Sequence, residues 1–345
     1  MEKRNKVLVT GGAGYIGSHT LIELLEHTDT EVVSVDNFSN SDRTVFDRIE
    51  QITGRRVLNH EVDLCDREAV ARLLDMEKGV TGVIHFAAFK SVPESVTDPH
   101  KYYHNNIASL LTLLEGCVAH GVERFIFSSS CSVYGNIDQL PVGEDTPLGK
   151  AESPYGYTKQ IGERIIEDYA RNNPAMRFIA LRYFNPVGAH ASGLNGEAPL
   201  NPPSSLVPVI TRTAIGKRPS MVVYGSDYAT RDGSCVRDYV HVSDIAAAHV
   251  KALDYAKSTM DEPYAIFNLG TGEGVSVLEA IEAFGSVSGV HLNYTVGPRR
   301  DGDVGAIYSD TTRSREVLGW KAQRDLNEMM ASAWKWERQL ASEGM

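Results

Sequence analysis

Short, nearly all-apolar runs alternate with longer helical stretches through the first half of the chain. Residues 7–10, 31–36, 57–62, 82–87, 124–128 and 177–182 read as strands. Runs of this kind are expected where both faces of a strand are covered, as in a parallel sheet between helices. Between them, 68–74, 106–119 and 155–172 carry apolar residues every three or four positions and are predicted helices. The series predicts an α/β fold on a doubly wound parallel sheet. The pattern breaks near Asn185. From there to about Asp238 the chain is rich in Gly, Pro, Ser and Asn, with Pro199, Pro202, Pro203, Pro208 and Pro219. One long helix is excluded there, and a smaller C-terminal α/β lobe is expected. Helices return at 242–255, with Ser243 and Asp244 at its start, at 277–284 after Ser276, and at 312–318. Residues 265–269 read as a strand ended by Gly270, which can rejoin the main sheet.

The first strand runs into Thr10-Gly11-Gly12-Ala13-Gly14-Tyr15-Ile16-Gly17-Ser18-His19, and a helix follows through Leu21 and Leu25. Strand, glycine turn and helix together make a dinucleotide site credible. Gly11 and Gly12 suit a tight bend, Gly14 lets backbone approach a pyrophosphate, and Gly17 lets the helix lie close to the strand. The helix N-terminus favours phosphate charge. The spacing is G-x-x-G-x-x-G, and glycine turns also serve plain packing. Asp36 ends the second strand about 20 residues on, where an acid can accept from the adenosine ribose hydroxyls. A carboxylate there repels a 2′-phosphate, which favours NAD over NADP. Arg43 is a counter-argument, and the plainer alternative is that Asp36 only starts a turn. On this basis 1–185 is expected to be an NAD-binding Rossmann domain, rejoined by segments near 238–275, with 186–345 mainly a substrate-binding lobe.

Ser153-Pro154-Tyr155-Gly156-Tyr157-Thr158-Lys159 opens a helix, with Pro154 in its first turn. Tyr155 and Lys159 stand four apart on one face. They follow the fifth strand, whose C-terminal loop is Ser128-Ser129-Ser130-Cys131-Ser132. Tyrosine titrates near 10, so bringing it to about 7 takes roughly 4 kcal/mol. One ammonium about 6 Å away supplies under ~3 kcal/mol at an effective dielectric of about 20. Lys159 alone is therefore insufficient, and a positively charged nicotinamide would supply the remainder. A loop serine can relay the proton.

Composition narrows the partners. The 345 residues are 42% hydrophobic and 23% charged, enough for a large core, and the formal net charge of −11 argues against nucleic acid or an anionic membrane. Cys65, Cys117, Cys131 and Cys235 are scattered, with no C-x-x-C and no Cys/His metal spacing. Reduced thiols and no metal are expected. No apolar leader precedes the first strand and no stretch is long enough for a bilayer, so a cytoplasmic protein is expected.

The chain resembles the extended short-chain dehydrogenase/reductase family, and within it the nucleotide-sugar 4-epimerases. The likeness covers nearly the whole chain. It runs through the glycine turn, Asp36-Asn37, Asp63-Leu64, Phe86-Ala87-Ala88-Phe89-Lys90, 102–106, 128–135, 155–159 and Arg182-Tyr183-Phe184-Asn185. It continues through Tyr224-Gly225-Ser226-Asp227-Tyr228, 236–242 and Arg300-Asp301-Gly302-Asp303-Val304. The resemblance implies reversible 4-epimerisation of UDP-galactose and UDP-glucose with a resident NAD. Tyr155, helped by Ser130 and Lys159, would remove the 4-hydroxyl proton. C4 would be oxidised, the 4-keto sugar would turn over in the site, and C4 would be reduced on its other face. It places Gly11, Gly14, Tyr15, Ile16, Gly17, Asp36, Asn37, Ser128, Tyr155 and Lys159 among the cofactor contacts. Asp63 and Leu64 would lie by adenine, Phe86, Ala87, Ala88 and Lys90 along the cofactor, Asn105 beside it, and Phe184 by the nicotinamide.

For the substrate it implies Asn185, Arg237 and Arg300 on the diphosphate, Asp303 on the uridine ribose and Tyr224 on uracil. Ser205, Leu206, Lys90, Ser130 and Tyr155 would complete the pocket, and Ile307 would bound the sugar. A guanidinium can give two parallel bonds to phosphate. Arg237 could instead pair with Asp238 at the surface, and Tyr224 could be a core aromatic. A homodimer through the helices 106–119 and 155–172 is also implied. Rival readings remain within the fold. Dehydratases carry an acid just before Val-Tyr-Gly, as do UDP-glucuronate decarboxylases; here Cys131 and Ser132 stand there. Two departures touch specificity. Ser204-Ser205-Leu206 replaces the usual Asn-Asn-Leu, and Ile307 stands where family members have Tyr or a small residue, which leaves UDP-N-acetylhexosamines open. A non-catalytic NAD-binding regulator is a further alternative, but such proteins usually lose the tyrosine or the lysine.

Overall fold

A parallel seven-stranded sheet carries the site in a computed structural model of the chain, which describes residues 5–203, 205–300 and 303–344. The expected opening unit forms as β1 (Lys6–Thr10), α1 (Tyr15–His27) and β2 (Glu31–Val35). Next come α2 (Thr44–Thr53), β3 (Leu58–His60), α3 (Arg67–Met76) and β4 (Val80–His85). Two adjoining helices, α4 (Val92–Thr97) and α5 (Pro99–Ala119), lead to β5 (Arg124–Ser130), α6 (Pro154–Asn172) and β6 (Arg177–Tyr183).

The second half opens with β7 (Asn185–Val187), α7 (Leu206–Ala214), β8 (Met221–Tyr224), β9 (Val236–Arg237) and β10 (Tyr239–His241). Then come α8 (Val242–Ser258), β11 (Tyr264–Leu269), β12 (Val275–Ser276) and α9 (Val277–Ser288). Last are β13 (Tyr294–Gly297), β14 (Ala306–Ile307), α10 (Thr312–Glu316) and α11 (Leu326–Ser342).

The sheet order is β11-β6-β5-β4-β1-β2-β3, with every neighbour parallel. The chain builds one way from β1 to β3, then crosses over to β4. The order therefore reverses between β1 and β4, and a crevice opens outside their C-terminal ends. Alternate residues cover the two faces. Val7 and Val9 pack with Leu21 and Ile22 of α1 and Ile245, Ala248 and Ala252 of α8. Leu8 packs with Leu73 of α3, Leu110 and Leu114 of α5, and Ile166 of α6. A separate core joins Val207 and Ile210 of α7, Val223 of β8, Phe284 of α9, and Met329 and Met330 of α11.

Several boundaries differ from the sequence pattern. The 57–62 strand shrinks to Leu58–His60. The 106–119 helix starts at Pro99, because Asp98 caps it by accepting from the Lys101 N–H. The proline-rich stretch still holds α7: Pro208 is third in that helix, where an N–H has no intrahelical partner to lose. The start of α8 is capped by the His241 ring, which accepts from the Ser243 N–H, and not by Ser243. Helix α11 had a legible signal that periodicity passed over, the reciprocal Asp325/Glu328 capping box.

Candidate active site

The glycine turn sits at the reversal point. Gly11 is left-handed (φ +70°), and its N–H donates to the Val35 carbonyl at 2.7 Å. A Cβ there would stand 2.8 Å from the Ala87 nitrogen, and one on Gly17 would stand 2.1 Å from the Gly11 carbonyl oxygen. Around Gly14 a Cβ would meet only that same oxygen, at 3.1 Å, so its other side is open. Gly14 caps α1 with no side-chain bond, and the first turn carries no acid. The first helical N–H groups are left for an anion, which is the fit a pyrophosphate needs.

Asp36 both shapes a turn and lines the cavity. Its carboxylate accepts from the Phe38 N–H at 2.9 Å and the Ser41 hydroxyl at 2.8 Å, shaping a turn in which Phe38 is left-handed. It also accepts from the Ala13 N–H at 3.0 Å and faces the cavity. Arg43 pairs with Glu61 at 2.6 Å, stands over the Phe38 ring, and is not on the cavity wall. The argument for NADP that it offered has no support in this geometry.

From this turn a cavity of about 1190 Å3 extends between the two cores. Gly11, Gly14, Tyr15, Ile16, Gly17, Asp36, Asn37, Asp63, Leu64, Phe86, Ala87, Ala88, Lys90, Asn105, Ser128 and Phe184 all line it. Lys90 is held by Glu197 at 3.0 Å, and the Tyr15 hydroxyl donates to the Gly188 carbonyl at 2.6 Å. Both bonds tie the first half of the chain to the second.

Ser130, Tyr155 and Lys159 meet on the same wall. Ser130 ends β5; Tyr155 is in the first turn of α6, which Ser153 caps, and Lys159 is one turn on. The Lys159 ammonium donates to the Ser128 carbonyl at 2.6 Å and lies 5.9 Å from the centre of the Tyr155 ring. Burial brings Lys159 down to about 8, against the pull of Glu163. Burial pushes Tyr155 up to about 12, while a hydrogen bond from Ser130 works the other way. Ser130 itself accepts from the Ser132 hydroxyl at 3.0 Å. Cys131 is pushed up to about 12 by burial and is a neutral thiol. Behind the wall, Arg182 and Glu163 form a buried pair at 2.7 Å.

Asn185, Ser205, Leu206, Tyr224, Arg237, Arg300 and Asp303 line the opposite side. The amide oxygen of Asn185 is buried with no partner, and Ser205 precedes α7 without capping it through its side chain. Both have capacity for a ligand. Arg237 does not pair with Asp238. It donates to the Val236 and Val304 carbonyls at 2.9 and 2.7 Å and lies 3.7 Å from Asp303. Asp238 instead takes bonds from Thr271, Gly272 and Ser309. Arg300 grips Asp303 at 2.8 and 3.1 Å and stands 5.4 Å over the ring of half-exposed Tyr224. Tyr224 is thus a surface aromatic and not a core one.

Ile307 is the exception. It is buried with Val133, Tyr134, Val142 and Phe184, one layer behind the wall, and does not reach the cavity. Ser204, Asp301 and Gly302 lie outside the described residues. Tyr183 and Glu197 also line the cavity and were not among the site residues expected from the sequence. Only their places next to Phe184 and in the proline-rich stretch could have flagged them. Among the described residues, no group of three or more His, Cys, Asp or Glu could hold a metal.

A doubly wound sheet, a glycine turn at its reversal point, and a tyrosine with a lysine one turn on define the short-chain dehydrogenase/reductase class. A model of the NAD dependent epimerase/dehydratase family matches residues 7–270, and the chain belongs to that family. It is 46% identical to the UDP-glucose 4-epimerase of Erwinia amylovora over 333 residues, 96% of this chain and 98% of that one. Its structure is similar to that of UDP-glucose 4-epimerase from Stenotrophomonas maltophila with bound NAD and formylated UDP-arabinopyranose. That match has a TM-score of 0.94, 44% identity and coverage of 99% and 100% of the two chains. The Bifidobacterium longum enzyme in complex with NAD+ and UDP matches at 0.93 and 44%, covering 97% and 98%.

Proposed function

We propose that this chain is an NAD-dependent enzyme that interconverts UDP-galactose and UDP-glucose by inverting C4 of the sugar. One observation carries the reading: a single cavity brings the glycine turn, the Tyr155–Ser130–Lys159 group and the Arg237–Asp303–Arg300 cluster face to face. NAD+, when bound, would supply a reversible two-electron acceptor for C4. The chain's own residues do the rest. Gly11, Gly14, Gly17 and the first turn of α1 take the pyrophosphate, and Asp36 takes the adenosine ribose. Tyr155 receives the 4-hydroxyl proton through Ser130 and returns it when C4 is reduced. Lys159 favours the tyrosinate by its charge.

Asn185, Arg237 and Arg300 hold the diphosphate, Tyr224 offers its face to uracil, and Asp303 accepts from the uridine ribose. Because Asp303 sits between two arginines, it also keeps both guanidinium groups aimed into the cavity. Cys131 and Ser132 stand where elimination of water would need an acid, which disfavours a dehydratase. Residues 1–185, with 238–275 packed back on the sheet, serve the cofactor; 186–345 mainly serve the nucleotide sugar.

Placement of Ile307 behind the wall favours a second substrate class, the 2-acetamido sugars, since no side chain at that position crowds the cavity. Purified protein without added cofactor is incubated with UDP-galactose, then with UDP-N-acetylgalactosamine, and each mixture is read by NMR. UDP-glucose is expected from the first, without net NADH. A 4-keto-6-deoxy product, or no product even with NAD supplied, would sink the reading. Conversion of the second sugar would support the wider pocket. No helix among the described residues is long and apolar enough to cross a membrane. We place the enzyme in the cytoplasm, where its four free cysteines stay reduced.

A further inference from the structure

A second tyrosine stands beside Tyr155. Tyr183 ends β6 on the cavity wall, and nothing in the reaction above uses it. Its hydroxyl lies 2.6 Å from Nε2 of His249 in α8. His249 is fully buried, and its Nδ1 lies 2.8 Å from the Ile245 carbonyl oxygen, one turn back. A carbonyl can only accept, so Nδ1 carries a proton. Both ring nitrogens are taken by neutral groups, and burial brings the imidazole down to about 4, so it is uncharged at neutral pH. A neutral imidazole with its proton on Nδ1 has only a lone pair at Nε2. Tyr183 must therefore donate to it.

The Tyr183 oxygen is left as an acceptor. Ser130 pairs with Tyr183 across β5 and β6, so the Ser128 side chain, two positions back, shares the Tyr183 face, where it eases ionisation of that hydroxyl. The carbonyl of the same Ser128 takes the Lys159 ammonium. One chain of contacts thus runs from a carbonyl of α8 through His249 and Tyr183 to Ser128, whose backbone carbonyl holds the Lys159 ammonium.

We propose that His249 is a positioning residue for the reaction: by taking the Tyr183 proton it fixes Ser128, and so fixes where the Lys159 ammonium stands beside Tyr155. The same bond keeps Tyr183 from exchanging a proton with the sugar, so that Tyr155 is the sole base. This rests on Tyr155 acting as the base of a 4-epimerase.

The test compares holoenzymes carrying His249→Leu, His249→Gln, Tyr183→Phe and the pair His249→Leu with Tyr183→Phe. His249→Leu is expected to lower kcat for UDP-galactose about tenfold with KM little changed. The acid limb of its kcat profile should move to higher pH. His249→Gln returns an acceptor to Tyr183 and should recover most of the rate. The double variant should be no slower than Tyr183→Phe alone, because the chain is broken once. Losses that multiply in the double variant, or single variants with wild-type kcat per folded enzyme, would overturn the proposal. Should His249→Leu fail to fold, His249→Gln and Tyr183→Phe carry the kinetic comparison. Nitrogen-15 spectra of the wild-type histidines need no substrate. They should show His249 neutral with its proton on Nδ1, and a proton on Nε2 would refute the chain. Lack of turnover by the wild type would count against the epimerase reading, with the imidazole spectrum still deciding the chain.

Discussion

Tyr155 begins far from the state it must reach. Burial holds it up to about 12, so a tyrosinate at pH 7 lies about 7 kcal/mol uphill. The Lys159 ammonium is shared with the Ser128 carbonyl and cannot close that gap. A positively charged nicotinamide is the remaining source. Tyrosinate absorbance of the enzyme should therefore rise at lower pH with NAD+ bound than with NADH, and coincident titrations would refute the coupling. Tyr155→Phe should keep the fold and the bound NAD while kcat drops by ~10²–10⁴; a variant with most of its activity would remove Tyr155 as the base.

Lys159 gives a stability prediction of definite sign. It titrates near 8 in the folded protein against 10.5 for a free lysine. Between these values the unfolded chain binds more protons, so its contribution to stability rises with pH. From pH 7.5 to 9.5 wild type should gain roughly 2 kcal/mol relative to Lys159→Met in denaturant unfolding. A flat difference would mean that Lys159 is not desolvated.

At the scale of elements, the glycine turn separates two roles that the motif alone merges. Gly17 is a packing glycine: a methyl there meets the Gly11 carbonyl at 2.1 Å. Gly17→Ala should cost ~1–3 kcal/mol or more and strip the cofactor, because α1 must move off β1. A methyl on Gly14 meets only the Gly11 carbonyl oxygen, at 3.1 Å, so Gly14→Ala should cost less stability than Gly17→Ala yet weaken NAD binding. Calorimetry and the NAD content of purified protein separate the two, and equal effects on both would refute the division. The strands of the main sheet were legible because burial on both faces demands unbroken apolar runs. The short strands β9, β12 and β14 were not, since two residues carry no period and exist only because partners hold them.

Across the whole molecule, an apolar patch is left exposed on α5 and the first turn of α6. Tyr103, Leu111 and Val118 on α5 and Tyr157 on α6 are each 37–49% exposed, and Tyr103 meets Tyr157 edge to face. We propose that a second copy covers this face. Light scattering should give twice the chain mass, and Leu111→Glu should shift it to the monomer. A monomeric wild type would end the proposal. The face was legible as two helices, but its exposure was not, because helical periodicity does not say which apolar stripe the sheet leaves uncovered.

Local chemistry decided what the sequence alone could determine here. Gly11, Gly14 and Gly17 after an apolar run, Asp36 at the next strand end, and Tyr155 with Lys159 one helical turn apart are short-range patterns. Their meaning depends on residues within about 20 positions. Packing decided the rest, because it joins residues that no spacing relates. Arg237 turned from its neighbour Asp238 to Asp303; Ile307 withdrew behind Phe184; and His249, 66 positions from Tyr183, came to hold its hydroxyl. A side chain's charge partner, exposure and proton direction are properties of the filled space around it, and only the tertiary structure fills that space.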